Sequence, residues 1–344
     1  MDLQHRLMRR TINIAVSKAM EDMKSNTKRS VRNLIDLGLF FSRCENQKWF
    51  FNTAKKVISN PQNPYNELAA KMIAEVDNQT IKTVGINLGY SSLIYGAKKL
   101  QKWQTTKSYP IPWLVIFDIP DASPDFFQQI ENLINEGCEM GIYSYIFCPH
   151  NAIDIISLCE IAKRFDECLF VFKVPSVLIT DQAAISLSDI HNAIVSVQVA
   201  VEDFNCKSCI GAFRALKQNR CLYGFHLSYN EDNMEKVTTP DYIHSAIGFG
   251  NLFGVYVADN GVSNSCKDSV YAFACNERGE TGRPLITVEW FRDMQDISEK
   301  IQSVGGCMLI SAIQKTSRGY VKVRDGLATS LNEMIQNYHP CSNF

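Results

Sequence analysis

The chain has 344 residues, of which 46% are hydrophobic, enough for one large domain or two ordinary ones with a substantial core. Its formal net charge is −1, and this ordinary composition excludes an intrinsically disordered chain. We find neither a signal peptide nor an apolar run of the roughly 18–20 residues that a membrane span needs, so we expect a soluble, cytoplasmic protein with no membrane partner.

Along roughly the first 105 residues, apolar side chains recur at spacings of three and four, which is typical of amphipathic helices. The predicted helices cover about residues 8–23, 27–42, 47–58 and 64–76, and, after an interruption at 85–90, residues 91–103. The sequence therefore predicts an N-terminal helical domain over residues 1–108.

This helical region is basic. The first 60 residues carry 12 lysines and arginines against 5 acidic residues, and the remainder carries 23 against 31. A basic helical segment is compatible with nucleic acid or an acidic partner. Since we find neither interleaved exposed aromatic residues nor a recognised binding motif, we interpret it as a solvated face and expect no nucleic-acid partner.

Six short apolar segments alternate with amphipathic helical patterns between residues 112 and 257. The segments are 113–119, 142–147, 169–172, 194–200, 221–227 and 252–257, and the helical patterns are 124–137, 152–165, 181–190, 208–219 and 240–249. Continuously apolar segments are typical of parallel strands buried on both faces. The pattern predicts an α/β fold, with a partial (β/α)6 barrel of the TIM type and an open doubly wound sheet as the alternatives.

The remaining chain is more irregular. We predict a linker at 105–112, a long polar loop at 258–275, a strand at 283–288 and a helix at 289–303. Two further strands are predicted at 307–313 and 319–323. The predicted division is a barrel domain at 109–260 and a C-terminal extension at 261–344.

Several short motifs follow one another in a recognisable order between residues 123 and 325. They are EGCEMGIY (136–143), LITD (178–181), LYGF (222–225), VTTPDYI (237–243), FGVY (253–256), GGC (305–307), RGY (318–320) and DG (325–326). Over these 200 or so residues the chain resembles radical S-adenosylmethionine (radical SAM) enzymes, in particular those with a cysteine-containing, SPASM-like C-terminal extension. The resemblance implies a partial (β/α)6 barrel.

The resemblance also implies a cluster site that this sequence lacks. Enzymes of that family hold a [4Fe–4S] cluster through a Cys-x-x-x-Cys-x-x-Cys loop after the first strand, and the cluster binds SAM. Here residues 119–122 (IPDA) contain no cysteine, and the next cysteine, Cys138, ends the following helix. Because cluster ligation needs thiolates that converge on one site, we expect neither the cluster nor SAM as cofactors and no metal site.

The positions that the resemblance assigns to SAM contacts are altered as well. The family's Gly-Gly-Glu falls on residues 149–151 (PHN), and its Thr-Asn-Gly-Thr falls on 173–176 (KVPS). Its serine and glutamate of the fourth strand fall on Gln198 and Ala200. In the extension Cys307 persists, and the later cysteine is replaced near Ala328 and Thr329. We expect a degenerate member of the family.

Ligands of such sheets bind at the carboxyl ends of the strands, so polar residues there are the candidates for a repurposed pocket. They are Cys148, His150, Asn151, Lys173, Gln198 and His226.

Three other groups of residues are weaker candidates. Cys206 and Cys209 form a Cys-x-x-Cys pair at a predicted helix start, but a zinc site would need two further ligands. Cys148 and His150 suit a nucleophile and base but have no identifiable orienting acid. The loop carboxylates, which we interpret as solvated, are Glu202, Asp203, Glu231 and Asp232. Most of the twelve cysteines we interpret as reduced core residues.

The leading hypothesis is a non-catalytic, radical SAM-like protein that binds a peptide or a partner protein, one candidate partner being an intact radical SAM enzyme. The alternatives are an enzyme that uses Cys148, His150, Lys173 and His226 in the same barrel, and a divergent radical SAM enzyme that depends on a partner subunit.

Overall fold

A computed structural model gives the fold of the chain. It describes residues 3–23, 27–42, 45–107, 109–119, 124–200, 204–279, 282–301, 305–311, 320–322 and 330–336. Within these ranges no helix is both long enough and apolar enough to cross a membrane.

The N-terminal region is helical, as predicted. Its α-helices are α1 (Leu3–Met23), α2 (Thr27–Phe41), α3 (Glu45–Ser59), α4 (Tyr65–Glu75), α5 (Asn78–Ile86) and α6 (Ala97–Lys107). The Asp77 side chain begins α5 by accepting a hydrogen bond from the backbone N–H of Thr80, which satisfies one of the donors left open at a helix start.

The predicted interruption at 85–90 is wrong. A π-helix, Asn87–Gly96, joins α5 to α6, so the backbone stays helical from residue 78 to 107. Glycines are tolerated inside a helix that is held by tertiary contacts. Gly96 makes such a contact at the point where the π-helix passes close to the sheet. A Cβ on residue 96 would lie only 2.5 Å from the carbonyl oxygen of Gly141.

The strands form one parallel sheet. Those in the described ranges are β1 (Leu114–Ile119), β2 (Ser144–Pro149), β3 (Leu169–Pro175), β4 (Ala193–Gln198), β5 (Tyr223–Tyr229), β6 (Phe253–Ala258), β7 (Ile286–Glu289), β8 (Cys307–Ser311) and β9 (Tyr320–Lys322). Their order in space is β7-β6-β5-β4-β3-β2-β1-β8-β9. Strands β1 to β7 therefore neighbour one another in chain order without the reversal that defines a doubly wound sheet.

Helices connect the strands. They are α7 (Pro124–Met140), α8 (Ala152–Arg164), α9 (Asp181–Ser188), α10 (Lys207–Gln218), α11 (Met234–Val237), α12 (Pro240–Gly248), α13 (Asn264–Glu277), α14 (Trp290–Lys300) and α15 (Leu331–Gln336). With sequential parallel strands and right-handed crossovers the helices lie on one face, and the sheet curls into a half-barrel. The predicted TIM-type architecture is confirmed, and the sheet contains three strands besides the six of the predicted (β/α)6 barrel.

The outer face of the sheet is an aromatic layer. Rings of neighbouring strands in this layer lie with centroids 5.1–6.1 Å apart, and their residues are Phe117, Tyr145, Phe147, Phe170 and Phe172. The Tyr145 hydroxyl lies 3.3 Å from the carbonyl oxygen of Ile134 in α7, so this face is the one that the helices cover. All five side chains are fully buried. The strands therefore carry apolar residues on the face that the helices cover, which contributes to the continuously apolar segments in the sequence.

The predicted polar loop at 258–275 is also wrong, because most of it belongs to α13. Ser263 caps this helix by accepting a hydrogen bond from the N–H of Cys266. The buried stripe is Cys266, Val270 and Ala274, spaced four residues apart. These small side chains are surrounded by polar residues, so the stripe gave too weak a periodic signal to predict a helix.

Beyond residue 260 the chain returns to the sheet. Strand β7 pairs with β6, β8 pairs with β1 and β9 pairs with β8, all in parallel. The strands predicted at 283–288, 307–313 and 319–323 are therefore present at or close to those positions. The division into 1–108, 109–260 and 261–344 stays a prediction.

The amino ends of the strands are covered by the N-terminal helices. An apolar cluster joins residues of α4 and α5 to residues at the starts of β3, β5 and β6, and its buried members are Leu68, Val76, Val84, Leu169, Leu222 and Leu252. Ser92 of the π-helix contributes a buried hydrogen bond of 2.8 Å to Ser144 of β2. This end of the barrel is closed.

Candidate functional site

The carboxyl ends of β1 to β5 place a row of polar side chains on the inner face of the half-barrel. Strand register aligns Asp118 with Cys148 and Lys173 with Ser196, and it aligns Gln198 with His226. Because side chains alternate along a strand, all six lie opposite the outer aromatic layer. We use the term mouth for this polar row and the residues next to it at the carboxyl ends of the strands.

Asp118 and His150 are hydrogen-bonded at the edge of the mouth. His150 Nε2 lies 2.8 Å from Asp118 Oδ1, and the two side chains are 53% and 29% exposed. The backbone N–H of His150 donates to the carbonyl of Ile119, which fixes the turn after β2 beside the end of β1. The candidates chosen from the sequence include His150 but not Asp118, because the register of β1 against β2 cannot be derived from the sequence.

Asn151, a predicted pocket residue, is a helix cap. Its Oδ1 accepts a hydrogen bond from the N–H of Asp154, and its Nδ2 donates to Asp154 Oδ2. These bonds satisfy the first turn of α8, and they leave Asn151 oriented for the helix rather than for a ligand.

Cys148 is half-buried between charged neighbours. Burial raises the pKa of its thiol to about 12, with the Lys173 ammonium lowering it and the Asp118 carboxylate raising it. The thiol is therefore protonated at neutral pH. A nucleophilic cysteine needs the opposite shift, since the thiolate is the reactive form.

His226 is buried beside Ser196. Its Nδ1 lies 3.0 Å from Ser196 Oγ. Burial lowers the pKa of the imidazole to about 3, Lys173 lowers it further and hydrogen bonding to Ser196 opposes the shift. The ring is neutral near pH 7 and is a weak base, so it is poorly matched to general-base catalysis. Ser196 was missed in the sequence, although its position two residues before Gln198 places it on the same face.

Below this polar row, the middle of the inner face is apolar and only half-buried. Its register runs from β8 through β1 and β2 to β3, where Leu309, Ile116 and Val171 are half-buried and Ile146 is buried. On β6 the half-buried Val255 lies in register with His226 of the polar row. Two apolar residues at the rim are strongly exposed, Ile153 at 76% and Val177 at 70%. Among the described residues, the mouth thus combines half-buried apolar side chains with a rim that is both polar and apolar.

The donor set of the mouth does not fit an iron–sulfur cluster. Cys148 is its one thiol among the described residues, and no three His, Cys, Asp or Glu side chains in those ranges converge on a metal position. The linking residues 120–123 (PDAS) lie outside the described residues, and their sequence contains no sulfur. Cys307 begins β8 and is buried at the amino end of the barrel.

Cys206 and Cys209 also serve the fold. Cys206 Sγ caps α10 by accepting a hydrogen bond from the N–H of Cys209, whose own side chain is buried. Of the loop carboxylates, Glu231 accepts a hydrogen bond from the N–H of Ser263, and Glu202 and Asp203 lie outside the described residues, as do Ala328 and Thr329.

No protein-family model matches the sequence. No curated protein matches it either.

Several solved structures are similar to the chain in fold, at low sequence identity. SuiB of Streptococcus suis bound to its precursor peptide SuiA shares 10% identity at a TM-score of 0.46, over 63% of this chain and 62% of SuiB. SuiB bound to S-adenosylmethionine gives a TM-score of 0.45 at 10% identity, over 63% and 60%. A 3-dehydroquinate dehydratase from Geobacillus kaustophilus gives 0.41 at 11% identity, over 66% and 91%. The chain thus spans about three fifths of the length of SuiB.

Proposed function

We propose that the mouth of the barrel binds a peptide or a segment of a partner protein, and that the chain acts as a non-catalytic, radical SAM-like protein. The observation that carries the proposal is the set of half-buried apolar residues on the inner face, together with the exposed Ile153 and Val177 at the same end of the barrel. Monomeric proteins rarely expose contiguous apolar surface, and a patch rimmed by polar groups is typical of an interaction site.

The chemistry of the polar row supports binding over catalysis. The thiol of Cys148 and the imidazole of His226 have pKa values shifted away from those that a nucleophile and a general base need. The exposed Gln198 and Lys173 instead provide donors and an acceptor for the polar groups of an extended chain, while the buried His226 and Ser196 are hydrogen-bonded to each other.

The occupant we propose is an extended peptide because the inner face offers both kinds of contact that such a chain needs. Apolar side chains would pack on Val171 and Val255, and the backbone would meet the polar row. SuiB has been crystallised with its precursor peptide; the proposal for this chain rests on the side chains of its own mouth. An intact radical SAM enzyme that presents such a segment remains one candidate partner.

The test is selection of binding peptides from a random displayed library against the full chain, followed by affinity measurement with two matched variants. Ile153→Asp places a charge at the rim, and we expect it to weaken binding of the selected peptides at least tenfold. Ile185→Asp places the same charge on α9, where Ile185 is 44% exposed on the outer layer, and we expect no change. Equal affinity of the two variants, or no enrichment at all, would contradict the mouth as the binding site.

The non-catalytic part is tested separately by anaerobic reconstitution with iron and sulfide. We expect no stoichiometric incorporation, since the mouth and residues 120–123 supply one sulfur between them. About four irons and four sulfides per chain would contradict this part of the proposal.

A further inference from the structure

Two cysteines approach each other at the closed end of the barrel, away from the mouth. Cys138 lies in the last turn of α7 and Cys168 immediately precedes β3, 30 residues later in the sequence. Their Sγ atoms are 3.3 Å apart. Cys168 is 1% exposed, and Cys138 is half-buried.

The fold holds both residues in place. The N–H of Leu169 donates to the carbonyl of Tyr143 at 2.8 Å, which fixes the start of β3 beside the segment that follows α7. Lys99 Nζ donates to the carbonyl of Cys138 at 2.8 Å and so ties the end of α7 to α6. The short approach of the two sulfurs therefore follows from the strand pairing and from the packing of α6 and α7.

We propose that Cys138 and Cys168 are a modification site, at which a hydroperoxide converts the two thiols into a reversible disulfide. A disulfide needs a sulfur–sulfur distance of about 2.0 Å, so the two atoms must approach by roughly 1.3 Å. Cys138 is the residue that the oxidant reaches, because Cys168 is covered. The inference is independent of the proposed function of the mouth.

The chemistry needs one equivalent of hydroperoxide, ROOH. The Cys138 thiolate attacks the terminal peroxide oxygen, an S–O bond forms, the O–O bond breaks and ROH leaves once the alkoxide is protonated. The sulfur of Cys168 then attacks Sγ of the resulting sulfenic acid. The S–S bond forms, the S–O bond breaks, and hydroxide leaves as water with the proton of the Cys168 thiol. The two sulfurs lose two electrons in total, and the peroxide gains them.

Burial favours this order of events. Burial and the hydrogen bond with Cys138 raise the pKa of the Cys168 thiol, so Cys168 keeps its proton and does not compete for the oxidant. Cys275 provides the comparison, since its side chain is exposed and has Arg278 as its neighbour at 3.2 Å. Among the cysteines that the structure describes, oxidation governed by exposure alone would begin at Cys275.

The experiment treats the folded full chain with hydrogen peroxide, blocks remaining thiols by alkylation under denaturing conditions, and digests with trypsin and a glutamate-specific protease. The expected product links peptide 137–139 (GCE) to peptide 168–173 (CLFVFK), with the loss of two hydrogens, and dithiothreitol reverses it. Oxidation should also raise the melting temperature by several degrees, because the bond closes a long loop.

Two variants distinguish disulfide formation between Cys138 and Cys168 from non-specific cysteine oxidation. Cys275→Ser should form the same linked peptide in full yield, and Cys138→Ser should lose it while melting at close to the temperature of the reduced parent protein. In the unmutated chain, alkylation of Cys138 and Cys168 can be measured directly. Protection of both residues reports the disulfide without a variant. Full alkylation of both residues after Cys275 has been oxidised, or equal yield of the link from the urea-unfolded chain, would overturn the inference.

Discussion

The two ends of the half-barrel differ in how the inner face of the sheet is covered. At the amino end, Leu169 and Leu222 pack against Leu68 and Val84 of the N-terminal helices, and each of these side chains is less than 10% exposed. Two residues further along the same face of β3, Val171 is half-buried, and Lys173 beyond it is exposed.

The contrast shows what the N-terminal helices contribute. A half-barrel leaves its concave face without the strands that would complete a closed barrel, so another element has to bury the apolar side chains there. Helices α4 and α5 and the π-helix do this at one end. At the other end, where ligands of such folds bind, the described residues Val171 and Lys173 are half-buried and exposed, respectively.

The largest expected effect separates the two ends directly. Leu169→Ala removes a fully packed side chain at the closed end, and we expect it to lower the free energy of unfolding by about 2–4 kcal/mol. Val171→Ala, two residues away on the same face, should cost about 1 kcal/mol or less, because solvent already reaches the site. Denaturant titration of both variants measures the difference, and similar losses would mean that the mouth is as tightly packed as the amino end.

An intermediate effect concerns His226. Its pKa of about 3 in the folded chain lies below the value of about 6.5 in an unfolded one, so the unfolded chain binds the extra proton. The stability that neutral, buried His226 contributes is complete above about pH 6.5 and is lost as the pH falls toward 3, with a slope of up to about 1.4 kcal/mol per pH unit.

The measurement is the free energy of unfolding against pH for His226→Gln. This variant should have a shallower slope than the parent protein between about pH 6.5 and pH 3. His244→Gln removes an exposed histidine on α12 and serves as the control, with the slope unchanged. Parallel curves for His226→Gln and the parent would show that His226 is not held neutral by burial.

The smallest expected effect is at the rim. Asp118→Asn removes the carboxylate that is hydrogen-bonded to His150, and solvent-exposed pairs of this kind contribute about 0–1 kcal/mol. We therefore expect the midpoint of urea unfolding to move only slightly. A loss above about 2 kcal/mol would place the pair in a desolvated site and would remove the distinction between the rim and the closed end.

Much of the fold could be predicted from local sequence patterns. Continuous apolar segments such as 169–172 identified six of the strands, and the amphipathic pattern at 240–249 located the start of α12 to the residue. The errors arose where tertiary contacts override a weak local signal. Gly85 suggested a break that the packing of the π-helix removes, and the small side chains of α13 hid a helix within a polar segment.

The candidate site was predictable as a location but not as a set of contacts. The carboxyl ends of the strands led to Cys148, His150, Lys173, Gln198 and His226, which do lie at the mouth. Asn151 is a helix cap, and the partners Asp118 and Ser196 come from other strands, so only the register reveals them. The exposure of Ile153 and Val177 could not be predicted from the sequence, because apolar residues are expected to be buried.

By itself, the amino-acid sequence determined the alternation of strand and helix and the lack of sulfur in the segment after β1, because both depend on residue type and local spacing. The tertiary structure alone decided which side chains meet. The order of strands places Asp118 beside His150, the packing of α6 and α7 brings Cys138 to Cys168, and the position of the N-terminal helices leaves one end of the barrel open. Each is a contact between residues distant in the chain, and spacing along the sequence carries no information about them.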